Sequence, residues 1–435
     1  MSVKMMRVQQ LELTHFRGIR QLKLDFTENV AVLVGVNGAG KTSILEAIRA
    51  LLGRLLWMAG KEVAGGAHAL RAMEIRQNYL QASDVQVGHR SVALTIESIV
   101  EGHRFGWSLL GQLRLPGEFS YTSKTPVRLS TFTEELGKRV KTEPLTALPL
   151  AIYYSAGRNT TQDKESLEKD DVQNQLSAYD RALSGSGPSS NTAFVTWFRR
   201  REDYENEKRL EDETFRDAQL QAVRRVVEEL LPGFSALRIR RQPMRMVIRK
   251  GRTELELRHL SDGERYLLTL GADISRRLAL ANPTAENPLL CSAVVLIDEI
   301  ETHLHPSWQR RIIPALARTF PNCQFIVATH SPQVLSEVRP ECIYLLTQED
   351  GELRVIQPEA SFGRDSNRIL EDIMGVDERP SEIKQKLSDY FHLIDQGKME
   401  EARSLREELE SLIGPDEPEF TRADVLMRTR ELLSR

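Results

Sequence analysis

Residues 30–48 read VAVLVGVNGAGKTSILEAI, and this stretch restricts the possible folds more than any other. The apolar run Val30–Val34 ends in Gly35, the pattern G-x-x-x-x-G-K-T runs from Gly35 to Thr42, and Ile44, Leu45, Ala47 and Ile48 follow at helical spacing. The pattern predicts a strand, a glycine loop and a helix in direct succession, a context that argues against a chance glycine-rich turn. Gly35, Gly38 and Gly40 let backbone N–H groups, including those around Asn37 and Ser43, turn toward phosphate oxygens, and the new helix adds its positive end. Lys41 would reach the β- and γ-phosphates, and the Thr42 hydroxyl would complete a Mg²⁺ shell. The expected ligands are therefore a nucleoside triphosphate and Mg²⁺.

The rest of the chain must supply the catalytic groups. AVVLIDE (293–299) is five apolar residues followed by two acids, the form of a buried parallel strand with carboxylates at its C-terminal end. Asp298 would hold the metal, and Glu299 would orient and polarise the attacking water. CQFIVATHSP (323–332) is a second such strand, with His330 just past its end. LSDGER (260–265) follows a strand and opens an apolar helix. There Ser261 offers a hydroxyl, Gly263 permits close backbone approach, and Glu264 lies in the first turn. His303 and His305 in ETHLHPSWQRR (301–311) lie two apart near acids, but no further ligands cluster nearby for zinc.

Composition excludes several function classes. At 435 residues the chain has material for two or three domains, and its formal net charge of −3 gives no global positive field for nucleic acid. Any DNA contact must be local or made through a partner. The widely spaced Cys291, Cys323 and Cys342 have no metal-ligand spacing and read as inert thiols. The start, MSVKMMRVQQ, lacks an apolar signal region, and no stretch approaches the ~18 apolar residues of a membrane span. A cytoplasmic protein without a membrane partner is expected.

In chain order, residues 6–13 and 21–26 look like strands around HFRGIR, with Phe16 and Arg17 at the turn. A helix is expected over 42–58, a Gly/Ala-rich loop after it, then strands in SVALTIESIV and in LPLAIYYSAGR, where Tyr153 and Tyr154 read as core. Residues 159–192 have linker composition. From Phe194 a long charged helical stretch runs to Pro232-Gly233, with Phe194, Trp197 and Phe198 on one face and solvated charges downstream. A basic strand pair follows, carrying Arg238, Arg240, Arg241, Arg245, Arg249, Lys250 and Arg252, either a solvated face or a DNA-backbone patch. The tail is helical, with apolar stripes at Leu387, Phe391, Ile394, Leu405, Leu409 and Leu412 that could pack on the head or receive a partner.

Strand, F-R-G turn, strand and phosphate loop, then LSDGER as signature, AVVLIDE as Walker B, ETHLHPSWQRR as D-loop and His330 as the switch histidine that hydrogen-bonds the γ-phosphate, resembles the head domains of SMC-like, RecF-like and overcoming-lysogenization-defect ATPases. The resemblance implies an α/β P-loop NTPase of the ABC-ATPase head type, a mixed sheet flanked by helices, with a helical insertion and a helical C-terminal tail. It places Arg17 near the nucleotide, and Ser261, Gly263 and Glu264 on the ATP of a partner subunit, hence a head-to-tail dimer. It also implies a glutamine that ligates Mg²⁺, for which Gln77, Gln81 and Gln86 compete. The implied organisation is an N-terminal lobe (1–158), a polar loop and helical insertion (159–235), a C-terminal lobe (236–358) and a helical region (359–435).

The runs W-F-x-x-x-E-D-x-E-N (197–206) and I-L-E-D-x-M-G with R-P downstream further resemble ATPases of Septu-type and retron-associated anti-phage systems. There the ATPase works with a separately encoded HNH nuclease. The tail lacks the D-x-D pair of a Toprim nuclease, so no nuclease site is evident in the chain. The alternative is a RecF- or SMC-like DNA-repair ATPase with no dedicated nuclease. A transporter subunit is disfavoured by the F-R-G start, by the 220 residues between Lys41 and Ser261, and by the ETHLHP segment. An ATPase that binds ATP structurally and barely turns it over is a further reading, which Glu299 does not exclude.

Overall fold

The structure, a computed structural model, describes residues 6–65, 80–114, 118–156, 174–185, 191–349 and 351–433. They form two compact units, Met1–Arg364 and Asp365–Arg435. Residues 359–364 therefore go with the head: Ser361 donates to the Val338 carbonyl and the Gly363 N–H to that of Ser336.

A six-stranded sheet organises the first unit, in the order β14-β13-β3-β12-β11-β7. Its parallel strands are β3 (Val30–Val34), β7 (Ala151–Tyr154), β11 (Val294–Ile297), β12 (Gln324–Ala328) and β13 (Ile343–Glu349), with β14 (Glu352–Ile356) antiparallel at the edge. The central strands are buried on both faces, which is why they read as unbroken Val/Ile/Leu runs. In register, Val294 lies opposite Gln324 and Ala151, and Phe325 opposite Val30. The parallel strands consequently end on one edge, where Gly35, Ser155, Asp298 and Thr329 begin the loops, the edge at which open α/β sheets bind ligands.

A five-stranded antiparallel sheet, β2-β1-β4-β5-β6, comprises β1 (Met6–Phe16), β2 (Ile19–Asp25), β4 (Ser91–Val100), β5 (His103–Arg114) and β6 (Glu118–Lys124). In β1, Val8, Leu11, Leu13 and Phe16 are buried, with a bulge between Val8 and Gln10. Trp107 of β5 donates its indole N–H to the Leu51 carbonyl of α1 (Lys41–Ala64) at 2.9 Å. Helix α1 runs past the expected residue 58 because Ala59 and Gly60 are buried; the Gly/Ala-rich loop begins only at Gly65. Helix α2 (Val127–Thr142) packs on α1 so closely that a Cβ on Gly137 would lie 2.7 Å from that of Glu62.

Two sequence expectations need correction. The charged stretch is two helices, α3 (Asn191–Glu211) and α4 (Ala218–Leu230), because Asp212 binds Thr214 and Asp217 caps α4 by accepting the Leu220 N–H. Its charges are not all solvated: Glu202 and Glu205 are buried against Arg224 of α4. The linker reading also fails over residues 174–185. Leu176, Ala178 and Tyr179 are buried, the Tyr179 hydroxyl donates to the Pro149 carbonyl, and Arg277 donates to the Ala178 and Asp180 carbonyls. Arg277 and the Tyr154 hydroxyl both donate to Asp273 at 2.8 Å, tying β7 to α5 (Asp262–Ala281). The remaining parts of that polar segment, 159–173 and 186–190, lie outside the described residues.

Helix α4 crosses α5 at Gly271, where a Cβ would sit 2.4 Å from Leu230 Cδ1 and 2.6 Å from Val226 Cγ1. Gly271→Val should lower stability by about 2 kcal/mol, since overpacking outweighs the few tenths gained in helix propensity. A denaturant midpoint unchanged from wild type would contradict this packing.

The second unit holds α7 (Ser381–Asp395), α8 (Met399–Ile413) and α9 (Pro418–Leu433) around Leu387, Tyr390, Ile394, Leu409 and Phe420. The predicted stripes pack on one another, with Phe391 and Leu405 at the margin of this core, whereas Leu412 is exposed. In the first unit, helix α6 (Pro306–Thr319) lies between β11 and β12 and begins within the ETHLHPSWQRR stretch. Among the described residues no helix is long and apolar enough to cross a membrane.

Candidate active site

At the end of β3 the backbone adopts conformations that only glycine accepts easily: φ is 80° at Gly38 and 100° at Gly40. At Gly35 a Cβ would lie 2.7 Å from the Leu346 carbonyl oxygen. Lys41 is 5% exposed and folds back over this loop, donating to the carbonyls of Gly35 at 2.8 Å and Val36 at 3.0 Å. Burial lowers its pKa, while Asp298, Glu301 and Glu299 oppose that shift. Asn37 is exposed at the loop, and Ser43 is partly buried in the first turn of α1.

The Thr42 hydroxyl donates to Asp298 Oδ2 at 2.9 Å, joining the first turn of α1 to the end of β11 across 256 residues of sequence. A hydroxyl and a carboxylate in contact are the hard oxygen donors that Mg²⁺ takes when most of its shell is water and phosphate, so these residues fit the ion. Glu299 follows with φ 47°, and its Oε2 accepts the Thr302 hydroxyl at 3.2 Å. From β12, which lies between β3 and β11, His330 is delivered to the same edge. Burial and then Lys41 hold its imidazole below the ordinary pKa, against the pull of Glu301, Glu299 and Asp298. A neutral imidazole can both accept and donate a hydrogen bond.

Arg17 lies in the F-R-G turn with φ 52°. Its Nε donates to Asp84 at 2.9 Å, and its guanidinium also pairs with Glu46, one turn beyond Thr42 on α1. Phe16 is core, 2% exposed. Of the glutamine candidates, Gln77 lies outside the described residues. Gln81 and Gln86 flank Asp84: the Gln81 N–H donates to the Asp84 carboxylate and the Gln86 N–H to the His15 carbonyl. Both lie in the segment that the isolated Phe16–Val85 bridge joins to the end of β1, whereas the strand beside Walker B is β7.

Ser261 caps α5 in a capping box: its hydroxyl accepts the Glu264 N–H, and Glu264 accepts the Ser261 N–H at 2.9 Å and Lys250 Nζ at 2.6 Å. A Cβ on Gly263 would lie 2.7 Å from the His303 carbonyl oxygen and 3.0 Å from the Trp308 ring. Within one chain the LSDGER segment thus packs on the ETHLHPSWQRR stretch. His305 caps α6 through its own Nδ1, accepting the Ser307 N–H. Among the described residues the group spaced to hold a metal is instead Glu371, Asp377 and Glu378, and Lys384 bonds to all three.

The basic strands prove largely neutralised. Arg238 and Arg240 pair with Glu254, Arg241 with Glu202 and Asp203, Arg245 with Glu256, and Lys250 with Glu264. They form the sheet β10-β9-β8, of β8 (Phe234–Arg241), β9 (Met244–Lys250) and β10 (Thr253–Glu256), three strands where a pair was expected. Burial pushes the thiols of Cys291 and Cys342 up to about 11 and that of Cys323 to about 12, so all three are inert at neutral pH. Motif reading passed over Glu301, whose carboxylate accepts the His330 N–H at 2.6 Å and the Thr329 hydroxyl at 2.7 Å.

The chain matches two family models: "AAA ATPase domain" over residues 6–95, and "AAA domain, putative AbiEii toxin, Type IV TA system" over residues 159–336. It is 29% identical to the "Retron Ec83 probable ATPase" of Escherichia coli, covering 95% of this chain and 85% of that one. It is 23% identical to the "Septu protein PtuA" of Bacillus thuringiensis, covering 95% and 96%. A solved SMC head bound to the C-winged helix domain of ScpA aligns over 80% of this chain and 96% of that chain, at 17% identity and a TM-score of 0.45. The P-loop lies inside one AAA model and the AVVLIDE strand end inside the other, and the similarity to the retron ATPase and the Septu protein runs nearly end to end.

Proposed function

We propose that two copies of this chain close head to tail around two ATP molecules and that this closure governs a separately encoded HNH-type nuclease in anti-phage defence, in the cytoplasm. The observation that carries the hydrolytic part is the Thr42–Asp298 bond, with Glu299 and His330 on the same sheet edge. Lys41, freed from the loop carbonyls, binds the β- and γ-phosphates. Glu299 takes a proton from the attacking water, and His330 hydrogen-bonds the γ-phosphate. Mg²⁺, held by Thr42 and Asp298, would neutralise charge on the phosphate oxygens. Ser261 and the N-terminus of α5 complete the site of the opposite protomer.

The defence assignment follows from the retron and Septu relatives. Paired charges on β8, β9 and β10 favour DNA contact through the partner over direct binding by this chain. The test is purification of the tagged chain from its native host, with mass spectrometry of what accompanies it. A stoichiometric HNH nuclease supports the proposal. A bare ATPase whose turnover is stimulated by DNA overturns it in favour of a RecF-like repair role.

A further inference from the structure

We propose that Glu301 is the positioning residue of the switch histidine, fixing the end of β12 so that His330 faces the phosphate site. This rests on the ATPase reading above and adds a residue to it. One Glu301 carboxylate spans main chain and side chain of consecutive residues: Oε1 takes the His330 N–H at 2.6 Å and Oε2 the Thr329 hydroxyl at 2.7 Å. Thr329 Oγ1 in turn accepts the Ser331 N–H at 3.0 Å, so the carboxylate orders three residues.

A second tie closes the ring. The Ser331 hydroxyl donates to Gln309 Oε1 at 2.6 Å, and Gln309 Nε2 donates to the Leu304 carbonyl at 2.8 Å. Glu299 is held in the same turn by Thr302. The two side chains that would act on the γ-phosphate and its water are thus anchored to one short segment, 299–304; its Ile300 N–H donates to the Ala328 carbonyl of β12, and Glu301 holds the two residues that follow that strand. Both Glu301 oxygens are turned to the switch backbone and Thr329, which favours positioning over proton transfer. Charge-assisted bonds of this length are the stronger class, and a part-buried N–H left without its acceptor would lose the bond that fixes its geometry. The charged groups acting on His330 are Lys41, Glu301, Glu299 and Asp298, and Glu301 opposes the depression of its pKa.

The experiment uses full-length protein labelled with ¹⁵N-histidine, first without nucleotide. Glu301→Ala should move the His330 amide resonance upfield and lower the imidazole titration midpoint relative to wild type. Glu301→Gln keeps an acceptor but loses the charge, so it should retain most of the amide shift while lowering the midpoint. In steady-state turnover Glu301→Ala should lower kcat about 10²-fold with the KM for ATP within about threefold, and Glu301→Gln should fall between. His330 resonances unmoved in the folded variants, or an unchanged kcat, would overturn the proposal. Failure of the ATPase reading shows separately, as a wild type that does not hydrolyse ATP, and the resonances then decide alone.

Discussion

Glu299→Gln should leave ATP bound but unhydrolysed, with kcat reduced by about 10²–10⁴ and ATP affinity within about twofold of wild type. Glu299 follows a strand buried on both faces and turns through a left-handed conformation, so its place is set by β11 and does not depend on its own charge. Glutamine has the same shape and can still accept the Thr302 hydroxyl bond, but it cannot take a proton. Binding of a fluorescent ATP analogue, beside single-turnover hydrolysis, separates the two effects. Normal hydrolysis by the variant would remove Glu299 from the general-base role.

Lys41→Ala should cost about 3 kcal/mol of ATP binding, roughly a hundredfold in affinity, because an ammonium–phosphate contact is among the stronger charge-assisted bonds. The fold should lose far less. In the structure the ammonium bonds carbonyls of its own loop: the bond to Gly35 is buried, and that to Val36 lies beside the exposed Val36 and Asn37. Calorimetric titration with ATP and Mg²⁺, run beside a thermal melt, checks both halves. Unchanged affinity in a folded variant would place the triphosphate elsewhere.

The contrast between these motifs and the rest of the site explains what could be read from the chain. Gly35–Thr42 and Ala293–Glu299 are legible because strand, turn and chemistry are contiguous, and the apolar runs announce their own burial. Arg17 is different. Its partners Asp84 and Glu46 come from separate elements, so the F-R-G turn shows that an arginine is present but not what holds it. The basic strands misled for the same reason: counting Arg238 to Arg252 misses Glu202, which approaches from α3, and Glu264, which approaches from the signature helix. The segment around Tyr179 looked like a linker because its neighbours are polar, yet Arg277 and the Pro149 carbonyl, far away in sequence, draw it into the core. Glu301 lies inside the ETHLHP stretch, but its partners Thr329 and His330 are 28 and 29 residues away, so spacing does not reveal its role. Gly263 suits close approach of a nucleotide, and its own chain already requires a glycine there, since the His303 carbonyl leaves no room for a Cβ.

The central claim is nucleotide-driven closure, and the most direct measurement is the solution mass of Glu299→Gln by sedimentation, with Mg²⁺–ATP and with ATP after chelation. The chain alone is 49.5 kDa. The account predicts at least a doubling of this mass that requires both ATP and Mg²⁺ and is lost when Ser261 is replaced by Arg, which would project into the shared site. A mass that stays the same whether or not ATP saturates the protein would contradict it.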